Sequence, residues 1–169
     1  SSIDALIHAV ESMVSPKSTV HTEVFAREAT RKILSAYQHI VRNGLETWTD
    51  LTPDFLLASN FAGIAFGNAG VGAVHALSYP LGGSYHIPHD EANQLMFIAV
   101  LKAYQLKQPN GRLNVVEQLI GDCLGVAPAE AFNALDLLTQ RILPRKPLRD
   151  YGISHDELAV FSQSVIESQ

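Results

Sequence analysis

The chain has 169 residues, 47% of them apolar, with a formal net charge of −5 and a sequence pI near 5.7. That is enough for one globular domain with a sizeable core, and it excludes disordered and fibrous compositions. No dense Lys/Arg run offers a footprint for nucleic acid or an anionic membrane, so the composition points to a small-molecule partner.

Helical periodicity predicts a first helix over about 3–14, stopped by Ser15-Pro16, with Leu6, Val10 and Met13 facing inward. A longer helix follows over about 22–42, ended by Asn43-Gly44, with Phe25, Ala29, Ile33, Ala36 and Ile40 buried, and the two form an antiparallel candidate pair. Thr52-Pro53-Asp54 reads as a helix start with threonine as N-cap, the helix reaching about Gly67. A short helix over about 71–78 is expected to stop before Pro80-Leu81-Gly82-Gly83. The next runs from Pro88 or His89 to about Gln105, with Asp90 and Glu91 in its first turn, where the helix dipole favours anions. After a turn at Asn110-Gly111, three further helices are predicted at about 113–124, 128–142 and 155–167. The last opens on Ser154-His155-Asp156-Glu157, which has capping-box spacing. No period-2 run or internal repeat is found, so the class is all-α, with several helices in one domain.

The most apolar stretch, Phe61 to Leu77, is broken by Asn68 and His75 and reads as core rather than a membrane span. Its glycines each cost roughly 1 kcal/mol of helix stability relative to alanine. Tight helix packing is the ordinary reason for such glycines; a floor for a flat ligand such as a nicotinamide ring is the other. The chain opens on an amphipathic helix rather than a basic leader, and its single cysteine, Cys123, reads as a buried, inert thiol. Both fit a cytoplasmic setting.

Asp4 and His8 lie four apart on one helix, so their side chains leave one face a turn apart. His75 closes the predicted short helix, His89 opens the next, and the Pro-Gly-Gly elbow between them can fold the imidazoles onto one centre. A solvated Asp/His pair and two hydrogen-bonded histidines are the bland alternative. Taken together, one carboxylate and three imidazoles form an oxygen/nitrogen ligand set suited to Fe(II), with Zn(II) or another divalent metal as a substitute. Such a set can leave a position for a substrate oxygen or for water. Alcohol oxidation, metal-dependent hydrolysis and a purely structural metal are the three readings this chemistry allows. His21, His39 and His155 read as surface or helix-end residues, and His86 as a loop histidine that faces either substrate or solvent.

Asp4-Ala5-Leu6 with His8 and Glu11 resembles one signature of the iron-dependent (group III) alcohol dehydrogenases. Gly67-Asn68-Ala69-Gly70, His75 through Gly83, Pro88-His89 and Ala92-Asn93 resemble the other. The resemblance extends over essentially the whole chain. It implies the metal-binding C-terminal domain of that fold, with Asp4, His8, His75 and His89 as ligands. It further implies hydride transfer between a primary alcohol or aldehyde and NAD or NADP. Within the family, Ala76 to Pro80 and Lys146-Pro147-Leu148 look most similar to 4-hydroxybutyrate dehydrogenases, which interconvert 4-hydroxybutyrate and succinate semialdehyde.

The family's N-terminal α/β nucleotide-binding domain has no counterpart here. The resemblance therefore implies a fragment of a longer dehydrogenase, inactive alone, with a homodimer left open as its assembly. Two departures stand out. Tyr79 occupies the position of a histidine to which many members give a proton-relay role, where it serves either as a relay or as a structural aromatic; it and His86, which lies in the elbow beside the proposed centre, are the candidate catalytic residues. Asp90 replaces a glycine after the last ligand, where it would cap the helix or hydrogen-bond a liganding imidazole.

Overall fold

A computed structural model describes residues 1–168, and these form eight α-helices with no strand among them. The helices are α1 (Ser2–Val14), α2 (Val20–Asn43), α3 (Thr52–Ala69), α4 (Ala73–Tyr85), α5 (His89–Lys107), α6 (Leu113–Leu124), α7 (Ala131–Ile142) and α8 (His155–Ser168). Short 3-10 turns at Leu45–Trp48, Pro128–Glu130 and Leu148–Tyr151 precede α3, α7 and α8.

The first helix is the axis of the domain. Ile3, Ala5, Leu6, Ile7, Ala9, Val10 and Met13 are all buried, so α1 is apolar around most of its circumference, as a helix enclosed by others must be. It packs against α2, α3, α5 and α6. The expected α1/α2 pairing is present, and α3 packs on both partners. Ala58, Ala62, Ala65 and Ala69 recur every three to four residues along α3 and are buried, so small side chains let it approach closely. Of the residues expected inside α2, Ala29, Ile33, Ala36 and Ile40 are buried and Phe25 is half-buried.

Several boundaries differ from the sequence reading. The second helix begins two residues earlier, because Thr19 and Thr22 form a reciprocal capping box. Thr52 is not an N-cap: Leu51 holds that position, and the Thr52 hydroxyl donates back to the Trp48 carbonyl at 3.4 Å. The Ser154/Glu157 pair is half of a capping box, with Glu157 accepting from the Ser154 backbone N–H at 2.8 Å.

The larger correction concerns the elbow. Pro80 lies inside α4, which continues through Gly82-Gly83 to Tyr85 and is closed by His86 in the left-handed region (φ 53°). A helix-interior proline costs about 3 kcal/mol. Continuing the helix carries Leu81 into a second apolar cluster with Ile87, Ala92 and Ile153, and that burial offsets the cost. The chain reverses at Tyr85–Pro88 instead. His75 accordingly sits in the first turn of α4 rather than at its end.

The glycines of α3 also depart from the packing expectation. A Cβ on Gly63 or Gly67 would meet no atom within 4 Å, so among the described residues they face open space. Within the 61–77 stretch, close approach holds at Gly72, where a Cβ would lie 2.9 Å from the Glu11 carboxylate. Among the described residues no single helix is long and apolar enough to cross a membrane.

Candidate metal centre

Three helix segments converge at the middle of the domain. The central helix supplies Asp4 and His8, whose Oδ2 and Nδ1 atoms lie 3.6 Å apart. The first turn of α4 supplies His75 and the first residue of α5 supplies His89; the Nε2 of each is 3.4 Å from Asp4 Oδ1. Ligand atoms of Asp4, His8 and His75 all lie within 4.8 Å of one another, which is the separation of donors around one ion. His75, distant along the chain, is therefore brought together with Asp4 and His8, and His89 joins them through Asp4.

Stacking fixes the rings. His8 lies between Phe66, 3.9 Å away, and His75, 4.5 Å away, nearly parallel to both. His75 is buried, whereas the His89 side chain is 49% exposed, so the cluster is open on the His89 side. Tyr79 stands there, its ring stacked at 6.3 Å from His89 and itself 60% exposed. His86 is exposed as the C-cap of α4, and no hydrogen bond or ring contact joins it to the ligand cluster. Asp90 hydrogen-bonds no imidazole; its carboxylate lies 3.7 Å from the Ser1 amino group. Cys123 is half-buried, and that burial pushes its thiol pKa up.

Charge is distributed to suit a cation. Burial works to raise the Asp4 pKa. Against it, the hydrogen bond from His75, the charges of His8 and His89 and the Asn93 amide hold it at about 2. Burial would likewise lower the His75 pKa, but hydrogen bonds to Asp4 and Glu11 outweigh it and raise the value to about 9. His8 is shifted down by burial, with His75 adding to the shift and Asp4 opposing it.

The sequence reading assigned no role to three further residues. Glu11, buried on α1, hydrogen-bonds His75 Nδ1 at 2.6 Å. Asn93, fully buried on α5, directs its amide nitrogen at Asp4 Oδ1 (2.8 Å), His89 Nε2 (3.0 Å) and His75 Nε2 (3.1 Å). The Ser78 hydroxyl donates to Asn93 Oδ1 at 2.5 Å. Both Glu11 and Asn93 stood in the motifs; the available signal was their helical spacing from His8 and His89, three and four residues respectively. The donor chemistry, one ionised carboxylate and three imidazoles, of which His75 is held from its far nitrogen by the buried Glu11 carboxylate, fits a divalent cation of intermediate softness.

Residues 1–169 match the sequence profile of the Fe-containing alcohol dehydrogenase family, C-terminal. The chain is 48% identical over 169 residues to 4-hydroxybutyrate dehydrogenase of Clostridium kluyveri, covering all of this chain and 46% of that protein. It is 30% identical over 171 residues to long-chain-alcohol dehydrogenase 1 of Geobacillus thermodenitrificans, covering 99% of this chain and 43% of that one. The crystal structure of 1,3-propanediol oxidoreductase superposes with a TM-score of 0.84 at 28% identity, over 98% of this chain and 44% of that chain. The chain thus spans less than half the length of these relatives.

Proposed function

Since the chain belongs to the Fe-containing alcohol dehydrogenase family, matching its C-terminal part from residue 1 to residue 169, we propose that it is the metal-binding portion of an NAD(P)-linked alcohol dehydrogenase. In this reading Asp4, His8, His75 and His89 hold one divalent cation, iron or a substitute such as zinc. The observation that carries it is the convergence of His75 and His89 on a single carboxylate oxygen of Asp4, with His8 stacked alongside. A bound cation supplies Lewis acidity toward the oxygen of an alcohol or aldehyde.

The protein's own groups prepare that chemistry. Asp4 is ionised well below neutral pH and is ready to bind a cation without losing a proton. Phe66 shields one face of His8 from water. The exposed edge of His89, with Tyr79 beside it, is the side by which substrate enters, and there the Tyr79 phenol can orient a substrate hydroxyl by donating or accepting a hydrogen bond. His86 gains no support as a catalytic group from its contacts. The open face of Gly63 and Gly67 supports the alternative sequence reading of a floor for a flat ring.

The 48% identity to a 4-hydroxybutyrate dehydrogenase supports 4-hydroxybutyrate and succinate semialdehyde as the substrate pair. The nicotinamide dinucleotide would be held mainly by a domain outside this chain, in a cytoplasmic enzyme. The test uses the full-length protein carrying His89→Ala. Bound metal and NAD(P)-dependent oxidation of 4-hydroxybutyrate should be lost together. Wild-type turnover from protein stripped of metal would refute the proposal.

A further inference from the structure

Glu11 follows His8 by three residues on α1, and its side chain is 0% exposed. A carboxylate in such a place is costly unless its oxygens are fully engaged. Both engagements come from the first turn of α4. Oε1 accepts the Val74 backbone N–H at 2.7 Å, and Oε2 lies 2.6 Å from His75 Nδ1. That helix has no side-chain cap of its own, because Gly72 holds the N-cap position. Glu11 from α1 and the Tyr104 hydroxyl, which accepts the Ala73 N–H at 3.1 Å, satisfy its open donors instead. Gly72 leaves the room for this, since a Cβ there would stand 2.9 Å from Glu11 Oε1.

The consequence falls on His75. In the neutral ring that binds a cation, with Nδ1–H donating to a carboxylate, the Nε2 lone pair is the one left free, on the side that faces Asp4. We propose that Glu11 is the positioning residue of the centre: it fixes the tautomer and ring orientation of His75 while tying the start of α4 to α1. This rests on the metal-site reading above.

A Glu11→Gln side chain has a single carbonyl oxygen. If that oxygen accepts from Val74, the amide NH2 faces His75 Nδ1 and forces the proton onto Nε2, the wrong tautomer for binding. Cobalt(II) is the probe, titrated into metal-free full-length protein, followed by its visible absorption and quantified by chelator competition. E11Q should bind roughly 10- to 100-fold more weakly than wild type, with an unchanged circular dichroism spectrum. E11D, which keeps the charge on a shorter arm, should lie between them. G72A, which displaces Glu11 without removing any polar group, should also weaken binding and decides the matter if E11Q does not fold. The proposal is overturned if E11Q, or G72A in its place, binds cobalt as wild type does while Asp4→Ala does not. If wild type binds no cobalt, or Asp4→Ala binds it equally well, the metal-site reading itself falls.

Discussion

Replacing Asn93 by alanine gives a quantitative test of how the ligand cluster is held in the absence of metal. The side chain is fully buried, and its amide donates to the ionised Asp4 carboxylate at 2.8 Å. A hydrogen bond to a charged group contributes about 1.5–3 kcal/mol, and the 17% exposure of the Asp4 side chain, which lets water replace part of the lost donor, puts the loss at about 2 kcal/mol. Ser78 loses less, because its single hydroxyl hydrogen can turn to the His75 carbonyl, 2.9 Å away. The removed amide leaves a small void worth about 1 kcal/mol. The sum is about 3 kcal/mol of metal-free stability. With a urea slope of about 2 kcal/mol per molar, the unfolding midpoint of Asn93→Ala should fall by roughly 1.5 M at constant slope. A shift of less than about 0.3 M would show that the amide is not holding Asp4 and would refute the reasoning.

Other outcomes follow from the same geometry. His75, with its pKa raised to about 9, carries a proton at neutral pH, so cation uptake at pH 7 should release about one proton. Calorimetry in buffers of different ionisation enthalpy should show that release, and it should vanish above pH 9. Because the folded value exceeds the unfolded one near 6.5, the stabilisation from charged His75 is full below pH 6.5 and is lost as pH rises through 9. The metal-free chain should therefore weaken across that window by up to about 3 kcal/mol, measurable by denaturant titration at each pH. Gly63→Ala and Gly67→Ala, set in open space on α3, should each raise the thermal midpoint, reflecting about 0.5–1 kcal/mol, and a lowered midpoint would contradict the open face. Phe97→Ala empties a fully buried position in the main core and should cost about 3–5 kcal/mol in urea unfolding.

The four candidate ligands were joined into one set by the family resemblance, whereas the helical class and the number of long helices were legible because periodicity and helix-end residues are local signals. The start of α6 at Leu113 and its end before the left-handed Gly125 follow directly from them. The elbow was not legible: proline rules predict a break before Pro80, but the burial of Leu81 and Ile87 with Ile153, more than sixty residues away, is a tertiary effect that overrides local propensity. The same holds for the glycines, whose packing or openness depends on which helices lie opposite. Glu11 and Asn93 were visible as residues but not as partners. Nothing in α1 alone shows that Glu11 meets the first turn of α4, because that contact joins residues 63 and 64 positions apart.

On the proposal above, one divalent cation sits among Asp4, His8, His75 and His89. Anomalous diffraction at the iron edge from crystals of the iron-loaded, full-length protein tests it most directly. A single strong peak bonded at about 2.0–2.2 Å to the carboxylate oxygen of Asp4 and to one imidazole nitrogen from each histidine is the predicted result. A peak elsewhere, or one held without His75 and His89, would contradict it.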